Sequence, residues 1–137
     1  MTHTKKVCIA VLTIACIVCS MLSSAFASEL QPRYTTLTST SVQLEISTLG
    51  RSTCTAEFET RSSSYNIELD LILYRVDSNG MTEVKSWDYT DTLSISVGAT
   101  YYVPTGNTYQ LVANVVVTNS AGTVLESVSV ASELCSC

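Results

Sequence analysis

The chain has 137 residues, with seven Lys or Arg, twelve Asp or Glu and a single His, for a formal net charge of −5. Such a length supports one domain with one modest core. The acidic balance excludes nucleic acid and anionic membrane surfaces as partners, because both recruit Lys and Arg.

Residues 1–27 have the form of a secretory signal peptide. Lys5 and Lys6 supply the positive start, Val7 to Leu22 is an uncharged apolar run, and Ala25-Phe26-Ala27 is a small-x-small cleavage box. Cleavage is expected between Ala27 and Ser28; the alternative, given the length of the apolar run, is an uncleaved membrane anchor. Removal takes away His3 and Cys8, Cys16 and Cys19, and leaves five basic residues against all twelve acidic ones, a net charge of −7. Contact with the membrane is expected only through the signal segment before cleavage. The mature protein is expected to be secreted, either extracellular or loosely attached to the cell surface.

Residues 28–38 form a loosely ordered lead-in, with an option for a short edge strand in "YTTLTS". From residue 39 to 137 the apolar residues alternate with polar ones, the period of half-buried strands. "VQLEIS" aligns Val42, Leu44 and Ile46, and "TCTAEFE" turns Cys54, Ala56 and Phe58 inward. "NIELDLILYRV" aligns Ile67, Leu69, Leu71 and Leu73. "TEVKSWDY" is more polar, as suits an edge strand. "LSISV" aligns Leu93, Ile95 and Val97, and "TYQLVANVVV" aligns Tyr109, Leu111, Ala113, Val115 and Val117. "TVLESVSVAS" closes the set with Val124, Val128 and Val130. Turn signals separate these runs, among them "LGRS", "DSNG", "PTGN" and "NSAG". Seven short strands without an intervening helix predict an all-β sandwich or barrel, and their order fits a single seven-stranded antiparallel sandwich.

The stretch "VPTGNTYQLVA" resembles the tyrosine corner of immunoglobulin-like and fibronectin type III-like sandwiches. That resemblance implies that Tyr109 opens the sixth strand, buried, with its hydroxyl bonded back to the preceding connection. Leu111 stands where an antibody-type domain has a cysteine, and the third strand has no core tryptophan. Across its length the sequence also resembles a group of small secreted proteins of Gram-positive gut bacteria, known as a domain of unknown function. The signal peptide, "TCTA", "SSSY", "VKSW" and "YYVPTGNTY" carry that resemblance. It implies secretion and a β fold, and it implies no activity.

Without His in the mature chain, Ser-His and Cys-His nucleophile pairs are excluded. Lys85, its one lysine, lies on the expected edge strand. A carboxylate hydrolase is the remaining enzymatic alternative, but Glu45, Glu57 and Glu59 point outward where charges keep a sheet face soluble. "DSNG" begins like a calcium loop, yet Thr82 stands where that loop needs glycine, and Asn-Gly is a hairpin signal. No cofactor or metal is expected.

Cys54, Cys135 and Cys137 are disulfide candidates in an oxidising compartment. The sandwich topology places the start of the second strand and the end of the seventh at one pole, so Cys54 is expected to bridge to Cys135 in preference to Cys137. The spare thiol offers a disulfide-linked dimer. If Ile67 to Leu73 turn their alternate residues inward, Ile72 and Tyr74 face outward beside Val112 and Val116. With Trp87 and Tyr89 these are expected to form an apolar interaction face. Tyr101 and Tyr102 add aromatics suited to stacking on sugars. The expected function is therefore a non-enzymatic binding or interaction module with a protein or carbohydrate partner at the cell surface. The alternative is a structural envelope or extracellular subunit joined through its spare cysteine.

Overall fold

The computed structural model describes residues 34–137. The signal peptide, its cleavage site at Ala27 and Ser28, and the start of the lead-in lie outside the described residues. Eight strands follow in order: β1 (Leu37–Ile46), β2 (Arg51–Thr60), β3 (Asn66–Asp77), β4 (Gly80–Thr92), β5 (Ser94–Tyr102), β6 (Thr108–Thr118), β7 (Val124–Ala131) and β8 (Cys135–Ser136). They pair into two antiparallel sheets. One has the order β1-β2-β5, and the other β4-β3-β6-β7 with β8 pairing to the start of β6. The fold is thus the expected all-β sandwich, with an eighth short strand added.

Alternation builds the core. Cys54, Ala56 and Phe58 of β2 face Ile67, Leu69, Leu71 and Leu73 of β3 and Tyr109, Leu111, Ala113, Val115 and Val117 of β6, and all are buried. Along each strand the buried residues alternate with residues that point away from the core, so a slip of one position would turn the core set toward solvent. Val42, Leu44 and Ile46 line the half-buried margin at β1, as Val128 and Val130 do at β7. Val124 departs from its expected inward place and is exposed. A register shift between Val117 and Thr118 sets it opposite Thr118, on the outer face.

Three local devices fix the frame. Leu93 is the single residue between β4 and β5, and so carries the chain from one sheet to the other. It adopts a left-handed φ of 65°, which a leucine takes only at a cost of roughly 1–2 kcal/mol. Its carbonyl accepts from the Thr60 amide (2.7 Å) and Thr60 Oγ1 (2.8 Å), and its own amide donates to Tyr65 O (3.1 Å). Leu93 is therefore the corner and not the first residue of the expected "LSISV" strand. At the pole, Gly50 has φ 86° and accepts from the Val103 amide at 2.8 Å. A Cβ built on Gly50 would lie 2.2 Å from Val103 O, so backbone contact requires glycine there. At the opposite flank Glu126 of β7 ties down the start of β1. Its carboxylate accepts from the amides of Thr35 (2.5 Å), Thr36 (3.4 Å) and Leu37 (3.4 Å) and from the hydroxyls of Thr35 and Thr36.

Candidate functional site

Tyr109 forms the expected corner. Its ring is 1% exposed, and its hydroxyl donates to the Pro104 carbonyl at 2.6 Å, in the connection between β5 and β6. The same pole holds the chain end. Cys135 pairs with Tyr109 and Ser136 with Thr108, and the Gly106 amide donates to Cys137 O at 2.8 Å. Nearby, where β7 ends, the buried Ser132 hydroxyl accepts from the Leu111 amide at 2.9 Å. The last residues are therefore ordered by pairing.

Among the described residues no bridge joins Cys54 to Cys135, and Cys54, Cys135 and Cys137 stand as free cysteines. Cys54 projects from the central strand of the three-stranded sheet and is 0% exposed, whereas Cys135 belongs to the other sheet, opposite Tyr109. Burial pushes the Cys54 thiol up to about 11, with a hydrogen bond involving Ser52 opposing the shift. A thiol held there is a poor nucleophile. Cys135 and Cys137 are half-buried, and Cys137 Sγ lies 3.8 Å from Pro104 O. Strand pairing of Cys135 and Ser136 with Tyr109 and Thr108 orders the chain end that carries the two cysteines.

The residues of the expected interaction face separate into two groups. Ile72 and Val112 are directly opposed on the outer face of β3 and β6, with Tyr74 and Val116 on the same face, all half-buried. Trp87 and Tyr89 are not with them. Their register partners are the buried Leu71 and Leu69, so both point to the inner side, at the seam where β4 approaches β5. Alternation in "TEVKSWDY" gives two faces but does not say which is inward. The register shift between Leu73 and Tyr74 makes that choice. At the seam Trp87 and Tyr101 meet edge to face, with centroids 6.4 Å apart and planes at 79°, and Lys85 Nζ lies 6.0 Å from the Tyr101 ring. Tyr102 is separately exposed, at 68%.

Beside Ile72 and Val112 the outer face carries a feature that sequence inspection missed. Glu68, Asp70, Asp88, Thr90, Asn114 and Val116 line a shallow groove of about 260 Å³. Asp70 lies directly opposite Asp88 on β4 and Asn114 on β6, and Asn114 Oδ1 accepts from Ser129 Oγ on β7. One polar row thus crosses all four strands. The hydrogen bond with Asp88 is the main reason that the Asp70 carboxyl is raised above its ordinary value; burial and the charges of Asp88 and Glu68 add to it. Glu83, opposite Tyr74, is a further carboxylate on this face, and the strand positions there present no Lys or Arg. The signal was present in the sequence as outward Glu68, Asp70 and Asp88, but only the β3–β4 register brings Asp70 and Asp88 together.

Comparison with models of known protein families finds no match to this chain, and comparison with curated proteins finds none either.

Proposed function

We propose that this protein is an exported, non-enzymatic binding module that uses the outer face of β4-β3-β6-β7 to dock a protein surface rich in Lys and Arg. Export rests on Lys5, Lys6, the apolar run and the Ala25-Phe26-Ala27 box. The observation that carries the binding reading is the composition of one contiguous face: an apolar centre at Ile72 and Val112 beside a groove of carboxylates with no cation among them. Like charges set directly opposite each other destabilise a sheet by roughly 0.2–1 kcal/mol. Asp70 and Asp88 are retained at that cost, and departures from local consistency concentrate at functional sites. A cationic partner reverses the sign of the term, since its Lys or Arg satisfies both carboxylates.

The test is titration with a strand-length peptide that alternates Lys and Val. Asp70→Asn with Asp88→Asn should lower its affinity at least about tenfold and flatten the salt dependence. These substitutions should leave the fold intact. Glu45→Gln with Glu57→Gln removes the same charge from exposed positions on the other sheet and should change little. Equal losses in both variants would mean that only net charge matters, and the proposal would fall.

A structural role is the second reading, and the placement of the thiols favours it specifically. With Cys54 enclosed, the half-buried Cys135 and Cys137 are the thiols available for a bridge between chains.

A further inference from the structure

Among the described residues four strands, β1, β5, β4 and β7, form the lateral edges of the two sheets, and three of them are protected. β1 has a register shift between Leu37 and Ser39 and carries Glu45. The β3–β4 pairing shifts between Leu73 and Tyr74, and β4 carries Glu83, Lys85, Asp88 and Asp91. β7 pairs through the shift at Val117 and Thr118, and its Glu126 is spent on the start of β1. Bulges and charges of this kind prevent an edge from accepting another strand. β5 has neither. Its nine residues, "SISVGATYY", contain no charge and no proline, and they keep an unbroken register with β2 from Ser94 to Tyr102.

The hydrogen-bond phase shows which groups that edge offers. The Thr60 amide donates to Leu93 O and the Val103 amide donates to Gly50 O, one at each end of the β2–β5 ladder. Antiparallel alternation between these ends directs the N–H and C=O of Ile95, Val97, Ala99 and Tyr101 toward β2. Those of Ser94, Ser96, Gly98, Thr100 and Tyr102 therefore point to the open edge, and all five residues are exposed.

We propose that this edge pairs with β5 of a second copy, antiparallel and centred on Gly98, to give a continuous six-stranded sheet across a two-fold axis. In that register Gly98 opposes Gly98, Ser96 opposes Thr100 and Ser94 opposes Tyr102, so every edge-facing residue meets another edge-facing residue. On the inner side Val97 meets Ala99 and Ile95 meets Tyr101, apolar against apolar. Gly98 has open space around its Cα, and no side chain stands at the axis. Charge selects this edge for self-association. In a strongly acidic chain the other edges would bring copies together with charged side chains along the strand, and β5 alone would not. The new strand would also cover the half-buried seam at Tyr101 and Trp87.

The experiment is sedimentation equilibrium of the purified protein with a thiol reductant present, which removes any dimer linked through Cys135 or Cys137. A concentration-dependent dimer is expected. Ser96→Lys with Thr100→Lys sets Lys against Lys twice across the axis and should raise the dimer dissociation constant at least about tenfold. Both positions are exposed, and the one hydrogen bond lost, Ser96 Oγ to Glu57 at 3.3 Å, is at the surface, so the thermal melt should be unchanged at concentrations where the wild type is monomeric. Ser96→Glu with Thr100→Glu should also dissociate, and an equal mixture of the two variants should regain the dimer. A wild-type protein that stays monomeric to millimolar concentration overturns the proposal. So does a dimer indifferent to the Lys pair, or a mixture that fails to recover.

Discussion

Replacing Tyr109 by Phe removes one oxygen and leaves the ring in the core. The oxygen donates at 2.6 Å to Pro104 O, a short bond between neutral groups, and Asn107 Nδ2 approaches it at 3.5 Å. A buried carbonyl stripped of its donor would cost roughly 1–3 kcal/mol. Pro104 itself is exposed, so water recovers part of the loss and the expected cost is about 1–2 kcal/mol. For a domain of this size that lowers the melting temperature by roughly 4–12 °C. Urea unfolding should show a lower midpoint with an unchanged slope, because the ring stays buried and the surface exposed on unfolding does not change. Tyr109→Leu should cost more, since it also leaves a cavity. A melting temperature for Tyr109→Phe within a degree of wild type would refute the view that the corner bond locks the β5–β6 connection to the core.

Gly50→Ala should be the more damaging change, at about 3 kcal/mol or more, because a Cβ 2.2 Å from Val103 O adds a clash to an unfavourable φ; loss of soluble expression or a melt lowered by over ten degrees checks it. Burial pushes the Glu126 carboxyl up, but the Thr35 hydroxyl and the amides of Thr35, Thr36 and Leu37 outweigh this and hold it below its ordinary value. Its stabilisation is therefore complete above the unfolded-state pKa and is lost as pH falls through the lower folded value. Glu126→Gln should cost about 1–2 kcal/mol at neutral pH and lose that difference in strong acid, as pH-resolved denaturation would show. Alkylation of the folded protein under reducing conditions should label Cys135 and Cys137 and spare Cys54 until denaturant is added; a Cys54 that stays unlabelled even in denaturant without reductant would show a bridge instead.

The strands were legible because burial is periodic. Runs such as Ile67 to Leu73 and Tyr109 to Val117 state their inward face in the residues themselves, and Tyr109 five residues after Pro104 marks the corner. Features set by pairing between distant strands were not legible. The side of β4 that carries Trp87 and Tyr89 depends on a register shift at Leu73. The role of Leu93 as the corner between sheets depends on Thr60 and Tyr65. β8 consists of two residues that have no strand signal apart from their partners Thr108 and Tyr109. The acidic row follows the same rule: Asp70 and Asp88 are eighteen positions apart in sequence and become neighbours only across the β3–β4 ladder.

Amide chemical-shift mapping of the protein titrated with the Lys–Val peptide tests the functional account most directly. Shifts concentrated at Glu68, Asp70, Ile72, Asp88, Val112 and Asn114, and fading with added salt, are the result predicted. Shifts centred on the outer positions of β1 and β2, or spread evenly over the acidic residues of both sheets, would contradict it.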